Sequence, residues 1–212
     1  MAEKIQILYL GIFHKNAAEK PIKLGSVEEL SSFGWLQRRS VREHLLFISR
    51  LLIENIGFEE RQKIAMKDFP FLAHVFVQNN GLSGILVTNN QYPERVAFEV
   101  INKALLFFEE ETFKNDNKDK TDFKTFSTDQ QLKTELLQEL MDRFQKPEEA
   151  DKLLLLGTEL EKIENIMNNN IDNLLGLGRN LDDLIKDSED LSMMSKMFAQ
   201  NAKKNNQCCR LY

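Results

Sequence analysis

Residues Phe71-Leu72-Ala73-His74-Val75-Phe76-Val77-Gln78-Asn79-Asn80-Gly81-Leu82-Ser83-Gly84-Ile85-Leu86-Val87-Thr88 decide how most of this 212-residue chain folds. Phe71 to Gln78 and Leu82 to Thr88 are short runs rich in β-branched and aromatic side chains, and Asn79-Asn80-Gly81 separates them. Asn-Gly is the strongest short hairpin signal, because a tight turn wants positive φ at both central residues. The segment predicts two antiparallel strands.

Working outward, Lys4 to Phe13 is dense in Ile, Leu, Tyr and Phe, which suits a strand buried on both faces. Ile22 to Val27 reads as a weaker strand and Arg61 to Lys67 as a further one. Ser40 to Ile56 reads as a helix whose stripe is Val41, Leu45, Ile48, Leu52 and Ile56. A second helix runs from Pro93 to Glu109, with Pro93 in the first turn, where a missing N–H costs nothing. Its stripe is Ala97, Val100, Ile101, Ala104, Leu105 and Phe108. Lys114 to Thr125 is a polar loop. Ser127-Thr128-Asp129-Gln130 has the pattern of a capping box opening a third helix, with Leu132, Leu136, Leu137, Leu140 and Phe144, which Lys146-Pro147 ends. The expected order is β-β-α-β-β-β-α-α, a layered α/β unit of about 145 residues.

Phe47 does not fit the stripe of the first helix. At 100° per residue it lies about 200° from Leu45, among Glu43, Arg50 and Glu54, with Leu51 one turn on. Either the domain covers this helix on both sides, or Phe47 and Leu51 form a docking site for another apolar helix.

Composition narrows the classes. With 42% hydrophobic residues the chain is not wholly disordered, and no apolar run reaches the roughly 18 residues of a membrane span. Met1-Ala2-Glu3-Lys4 leads straight into Ile5-Gln6-Ile7-Leu8 without a small-residue cleavage site, so no signal peptide is expected. Cys208 and Cys209 are the two cysteines, which excludes a disulfide scaffold and a tetrahedral zinc site. His14, His44 and His74 fall in separate elements, with no metal spacing, no phosphate-cradling glycine loop and no local Cys-His signature. No enzyme activity, catalytic residue, metal or cofactor is expected.

The net charge of −5 is unevenly spread. Glu148 to Asp190 holds twelve acids against four bases, while Leu191 onward has no acid and carries Lys196, Lys203, Lys204 and Arg210. Nucleic-acid binding needs a broad basic footprint, and only this short tail is basic, so no nucleic-acid partner is expected.

From Leu153 the chain alternates steps of three and four: Leu153, Leu156, Leu160, Ile163, Met167, Asn170, Leu174, Leu177, Leu181, Leu184, Ser188, Leu191, Ser195, Phe198 and Ala202. Twelve of these fifteen are apolar, which makes a heptad seam. As one helix it would be a rod of about 75 Å, too long to hide its seam inside the preceding domain. It must pair with other helices, lie along the domain surface, or stay disordered. Gly157, Gly176, Gly178 and Asn168-Asn169-Asn170 lower helicity, so the segment is expected to order on binding. A homodimeric coiled coil is the simpler reading. Asn170, Ser188, Ser195 and Ala202 on the seam argue against it and for a mixed bundle with fitted layers.

The chain closes with Cys208-Cys209-Arg210-Leu211-Tyr212. A cysteine four from the end has prenylation geometry, and its neighbour is a common palmitoylation site. Two lipids anchor stably where one does not, and Lys203 and Lys204 favour an anionic leaflet. Arg210 is a poor match for an aliphatic position, and Tyr212 is nearest to the Phe that directs geranylgeranylation. A chance Cys-Cys pair is the alternative.

Together these parts resemble the lipid-anchored longin-domain SNAREs of the synaptobrevin-like, arginine-class (R-SNARE) family. In the first half the resemblance rests on Leu8-Tyr9-Leu10-Gly11-Ile12-Phe13, Phe33-Gly34-Trp35, Arg39-Ser40-Val41 and Tyr92-Pro93. In the second half it rests on Asn180-Leu181-Asp182-Asp183-Leu184, Asp187-Ser188-Glu189-Asp190-Leu191, Ser195-Lys196-Met197-Phe198 and Ala202 through Cys209. It implies an α+β fold: a longin (profilin-like) domain at 1–146, with a five-stranded antiparallel sheet flanked by helices, then a heptad-repeat SNARE coiled-coil helix at 148–207 and a lipidation tail at 208–212. The fifteen seam residues would be the layers of a parallel four-helix bundle with three Q-type SNARE helices, and zippering would fuse membranes. Phe47, with Leu51, would dock the SNARE segment on its own longin domain. Cys208 would carry palmitate and Cys209 a prenyl group, dividing the protein between cytosol and the cytoplasmic face of Golgi, vesicle, endosomal or vacuolar membranes. One departure stands out. The family places arginine at the central layer, but this register puts Leu177 there, with Arg179 about 200° round the helix. A regulatory protein forming non-fusogenic complexes is therefore the second reading.

Overall fold

The computed structural model describes residues 6–16, 19–66, 70–114, 123–146, 165–176 and 180–208, with 19, 110–114 and 202–208 by backbone alone. Strands β1 (Ile7–Asn16) and β2 (Glu19–Glu28) lead into helix α1 (Trp35–Asn55). Strands β3 (Glu60–Ala65), β4 (Phe71–Val77) and β5 (Leu82–Asn89) follow, then α2 (Glu94–Lys114), a single 3₁₀ turn at Phe123–Thr125 and α3 (Thr134–Phe144). The chain returns as β6 (Ile166–Asn170) and three helices, α4 (Ile171–Leu175), α5 (Leu181–Asp187) and α6 (Met193–Cys208).

The sheet order is β2-β1-β5-β4-β3-β6. The first five strands pair antiparallel, as expected. The sixth corrects the expectation of five: β6 comes from the heptad segment and lies parallel to β3, with Arg61 opposite Ile166 and Ala65 opposite Asn170. Residues Met167 to Asn170, read as part of a continuous helix, are strand. Their asparagines carry weak helix propensity, and the open β3 edge offers backbone partners that a lone helix would forgo.

Side chains alternate between two layers, as the period of two requires. Leu10, Ile12, Leu24, Leu82 and Leu86 face α2 and α3. Tyr9, Phe13, Val75, Ile85 and Val87 face α1. Most are wholly buried, at about 1.5–3 kcal/mol for each large aliphatic. This two-sided burial makes β1 continuously apolar. Gly84 allows α2 to lie close, since a Cβ there would come within 2.6 Å of Ile101 Cγ2.

Two local readings change. In the β4–β5 turn only Gly81 takes positive φ, at 87°, while the Asn80 side chain accepts the Leu82 N–H at 2.9 Å. The three-residue loop thus needs one left-handed residue, not two. The expected capping box does not cap. Asp129 instead accepts the Lys23 N–H at 3.1 Å and pairs with Arg50, and Gln130 and Leu132 bond to Lys23 and Leu24 along β2. The helix begins at Thr134 after Lys133, which has positive φ and makes no side-chain cap. A charged partner and an open strand edge outcompete one cap bond.

Candidate functional site

Helix α1 has apolar contacts on both sides. Val41, Leu45, Ile48 and Leu52 sit buried against the sheet. On the far side, Phe47 packs with Leu181 against a small cluster of Ile185, Leu191 and Ala199, all from α5, α6 and the turn between them. Leu51, with Leu174, Leu181, Leu184 and Phe198, lies half-buried on the α1-side core. The described part of the heptad segment, from 166 onward, is therefore folded back over α1 and along β3.

Polar groups fix this position. Ser195 Oγ donates to a Glu43 carboxylate oxygen at 2.7 Å, and the Ser192 N–H donates to the same oxygen at 3.1 Å. The Ser192 and Ser195 hydroxyls lie 3.0 Å apart, and Arg39 reaches the other Glu43 oxygen at 3.2 Å. Partial burial alone would raise the Glu43 pKa. The hydroxyl bonds from Ser195 and Ser192, with the Ser192 N–H and Arg39, outweigh it and hold the carboxyl at about 2. Lys20 pairs with Asp190 at the turn before α6.

The next residue of α1, His44, is buried, with Nδ1 3.0 Å from the Ser40 carbonyl and its ring edge-on to Phe198 at 6.1 Å. Burial lowers its pKa, so the neutral ring is favoured against Phe198. Phe198 also closes an apolar cavity of about 70 Å³ lined by Leu8, Phe33, Val41, Ile48 and Met66.

The asparagines that weaken the continuous helix start the short ones. Asn170 Oδ1 accepts the Asn173 N–H at 2.7 Å to begin α4, and Asn180 Oδ1 accepts the Asp183 N–H at 2.8 Å to begin α5. Gly176, at φ 79°, ends α4.

Among the seam residues, Leu191 and Ser195 are buried, Leu174, Leu181, Leu184, Ser188 and Phe198 are half-buried, and Met167 and Asn170 are exposed. Ala202 and Cys208 belong to the α6 backbone. Leu153, Leu156, Leu160, Ile163, Leu177 and Cys209 lie outside the described residues. The heptad reading missed Ile171, Leu175, Ile185 and Ala199, which the fold buries beside the seam. Their i, i+4 pair Ile171 and Leu175 was a visible signal of a second face. It also missed Glu43, Ser192 and His44, which show no pattern until α1 and α6 are brought together.

The other two histidines lie apart from this surface. His14 stacks edge-on with Phe123, and His74 sits beneath Phe98 with Nε2 3.1 Å from the Thr88 hydroxyl. Among the described residues no group of His, Cys, Asp or Glu is placed to hold a metal, and no helix is long and apolar enough to cross a membrane.

Comparison with known proteins matches both halves. Residues 152–210 fit the Synaptobrevin family model, and residues 30–130 fit the Longin model, described as a regulated-SNARE-like domain. The chain is 32% identical over 205 residues to "Synaptobrevin homolog YKT6" of Saccharomyces cerevisiae, covering 97% of this chain and 98% of that protein. It is 34% identical over 205 residues to "Putative synaptobrevin homolog YKT6" of Dictyostelium discoideum, again covering 97% and 98%. A Yarrowia lipolytica protein named "Synaptobrevin homolog YKT6" is 31% identical over 207 residues, covering 98% and 100%. The chain belongs to the longin-domain, synaptobrevin-like SNARE family. As a longin SNARE it belongs to vesicle trafficking, in a family of assembly proteins and not of enzymes. In this SNARE the surface built around Phe47 and Glu43 joins the two matched regions: α1 lies in the longin match, and α4 to α6 lie in the synaptobrevin match.

Proposed function

We propose that this SNARE drives vesicle membrane fusion by supplying residues 148–207 as one helix of a parallel four-helix bundle with three Q-type SNARE helices. At rest the longin domain, residues 1–146, holds that segment closed. The observation supporting this reading is that Leu181, Leu184, Leu191, Ser195 and Phe198, on the bundle seam, are among the residues packed on or bonded to α1. A side chain cannot fill both places, so longin docking and bundle assembly compete. Release of the seam to three partner helices would recover the apolar burial and extend it over all layers. Cys208 would carry palmitate and Cys209 a prenyl group, with Lys203 and Lys204 favouring an anionic leaflet. Zippering toward these cysteines would draw the membranes together at the cytoplasmic face.

A second reading rests on Leu177. At the central layer it would face three buried glutamines and leave polar groups partly unpaired, at about 1–3 kcal/mol each. On that reading the protein forms regulatory complexes that do not fuse membranes.

The test mixes the full chain, as wild type and Phe47→Glu, with soluble helices of Q-type SNAREs and follows a detergent-resistant complex. Faster assembly by the variant is the expected result. Equal rates would remove competition from the mechanism, and no complex with any set of Q-SNAREs would remove the fusion reading.

A further inference from the structure

The first turn of α1 is unusual for the start of a core helix. Gly34 precedes it without a side-chain cap, and the helix has no acidic residue in its first turn. Trp35 is 78% exposed and Leu36 62% exposed, adjacent in the first turn. Arg38, Arg39 and Arg42 follow within two turns and are all exposed, with no acid between Leu30 and Arg42. Arg38 is steadied by the Phe33 and Ser31 carbonyls at 3.1 and 3.5 Å, while Arg39 and Arg42 lean on Glu43 and Glu28.

This is an apolar pair beside three exposed arginines, two of them paired to Glu43 and Glu28 at their far side. Tryptophan prefers the boundary between headgroups and acyl chains, where its ring is half in each phase. Arginines one and two turns along suit the phosphates of an anionic surface. A soluble protein partner would be expected to present acids, but nothing on this end selects a fold or groove for one. A bilayer needs only the apolar wedge and the charge. Helix α6 packs close to this end, since Phe198 shares a cavity with Phe33, two residues before Trp35.

We propose that Trp35 and Leu36, with Arg38, Arg39 and Arg42, form a membrane-docking tip that inserts into an anionic bilayer while the SNARE segment is still folded back on α1. The longin domain then has its own contact with lipid, separate from the tail.

Trp35 is the single tryptophan in the chain, so its fluorescence reports on this tip alone. The full chain with Cys208→Ser and Cys209→Ser, which carries no lipid, is titrated with phosphatidylcholine vesicles with and without phosphatidylserine. The expected result is an emission shift to shorter wavelength with the anionic vesicles only, reversed by salt, with amide exchange of residues 193–200 unchanged. In co-sedimentation Arg39→Gln should weaken binding about fivefold. Leu36→Glu, which keeps the reporter, should weaken it about tenfold or more. Circular dichroism melts check that both variants fold. Absence of a shift with anionic vesicles overturns the proposal. So does a shift that grows with protein concentration in their absence, which assigns the tip to a second copy. A shift accompanied by faster exchange at 193–200 also overturns it, because the lipid then acts on the opened form.

Discussion

The Ser195 hydroxyl donates a 2.7 Å hydrogen bond to the Glu43 carboxylate, and this contact spans 152 residues of chain to join α6 to α1. It places a depressed carboxyl pKa at the junction between the two halves of the molecule.

The first prediction concerns pH. Glu43 has its pKa lowered to about 2 when α6 is docked, against 4.5 in an ordinary setting. A depressed carboxyl stabilises the docked state above its free pKa and loses that contribution as pH falls through the docked pKa. Docking should therefore be flat from pH 8 to 5.5 with respect to this group, then weaken from about pH 4.5 toward 2. Glu43→Gln should weaken docking at neutral pH by on the order of 2 kcal/mol. Amide exchange at residues 192–199 checks both, and exchange unaltered in the variant would assign the docking to apolar contacts alone.

Phe47→Ala removes the side chain that packs with Leu181 against Ile185, Leu191 and Ala199. With Phe47 half-buried, the loss should be about 2 kcal/mol, below that of a full core truncation. Residues 181–199 should exchange faster by more than tenfold while β1 and β5 keep their protection. Equal loss of protection in β5 would mean that Phe47 holds the domain itself and not the segment.

His74 predicts acid sensitivity of the longin domain. It is fully buried, and burial, aided by the nearby Lys63 charge, lowers its pKa to about 3. A histidine held neutral in the folded state costs stability as pH falls from 6.5 toward the folded value, at up to about 1.4 kcal/mol per unit. Urea melts at pH 7 and pH 5 should differ by about 2 kcal/mol from this group, and His74→Gln should shrink that difference. His44, shifted in the same direction by burial, adds to the slope. An unchanged slope in His74→Gln would assign the acid sensitivity elsewhere.

Leu177→Arg should raise the stability of a complex with three glutamine-bearing helices by about 1–3 kcal/mol, because the new guanidinium satisfies polar groups that leucine cannot. Thermal melts of the assembled complex measure it. No gain would favour partners that have also left glutamine, and with them the regulatory reading.

Cys209→Ser should shift most of the protein from the membrane to the soluble fraction of cells and leave any membrane-bound remainder extractable by salt, since without the prenyl group palmitoylation loses its membrane residence and only the tip contact is left. Intact-mass analysis of the C-terminal peptide would identify the lipid, and an unmodified peptide would end the anchoring proposal.

Much of the fold was legible because period-two and period-3.6 stripes bury opposite faces. β1, β4 and β5 are apolar on both sides since helices cover both sides of the sheet. Phe47 could be singled out by angle alone, because a helix reveals its second face without reference to the rest of the chain. β6 was not legible. Ile166 to Asn170 has little β propensity, and it pairs through backbone groups that any sequence carries. The folded-back packing was only half visible. One chain encodes two sets of neighbours: the heptad seam describes one, and Ile171, Leu175, Ile185 and Ala199 complete the other. Asp129 shows the same limit on a smaller scale, since nothing local tells a cap from a partner for Lys23 and Arg50.

The sheet has two outer borders, and the chain occupies both with its own backbone. Gln130 and Leu132 bond along β2, and β6 lies along β3. The two coverings differ in permanence, because only the second belongs to the segment that the proposed bundle would take away. Opening would thus strip a border as well as release a helix, leaving β3 with unpaired amides and carbonyls that attract any passing strand. An opened molecule without partners would be adhesive and short-lived, pressed either to refold on itself or to stick to its neighbours. On the proposed mechanism release would be best matched to capture, and the rim of the sheet would work as a timer on how long the protein could wait.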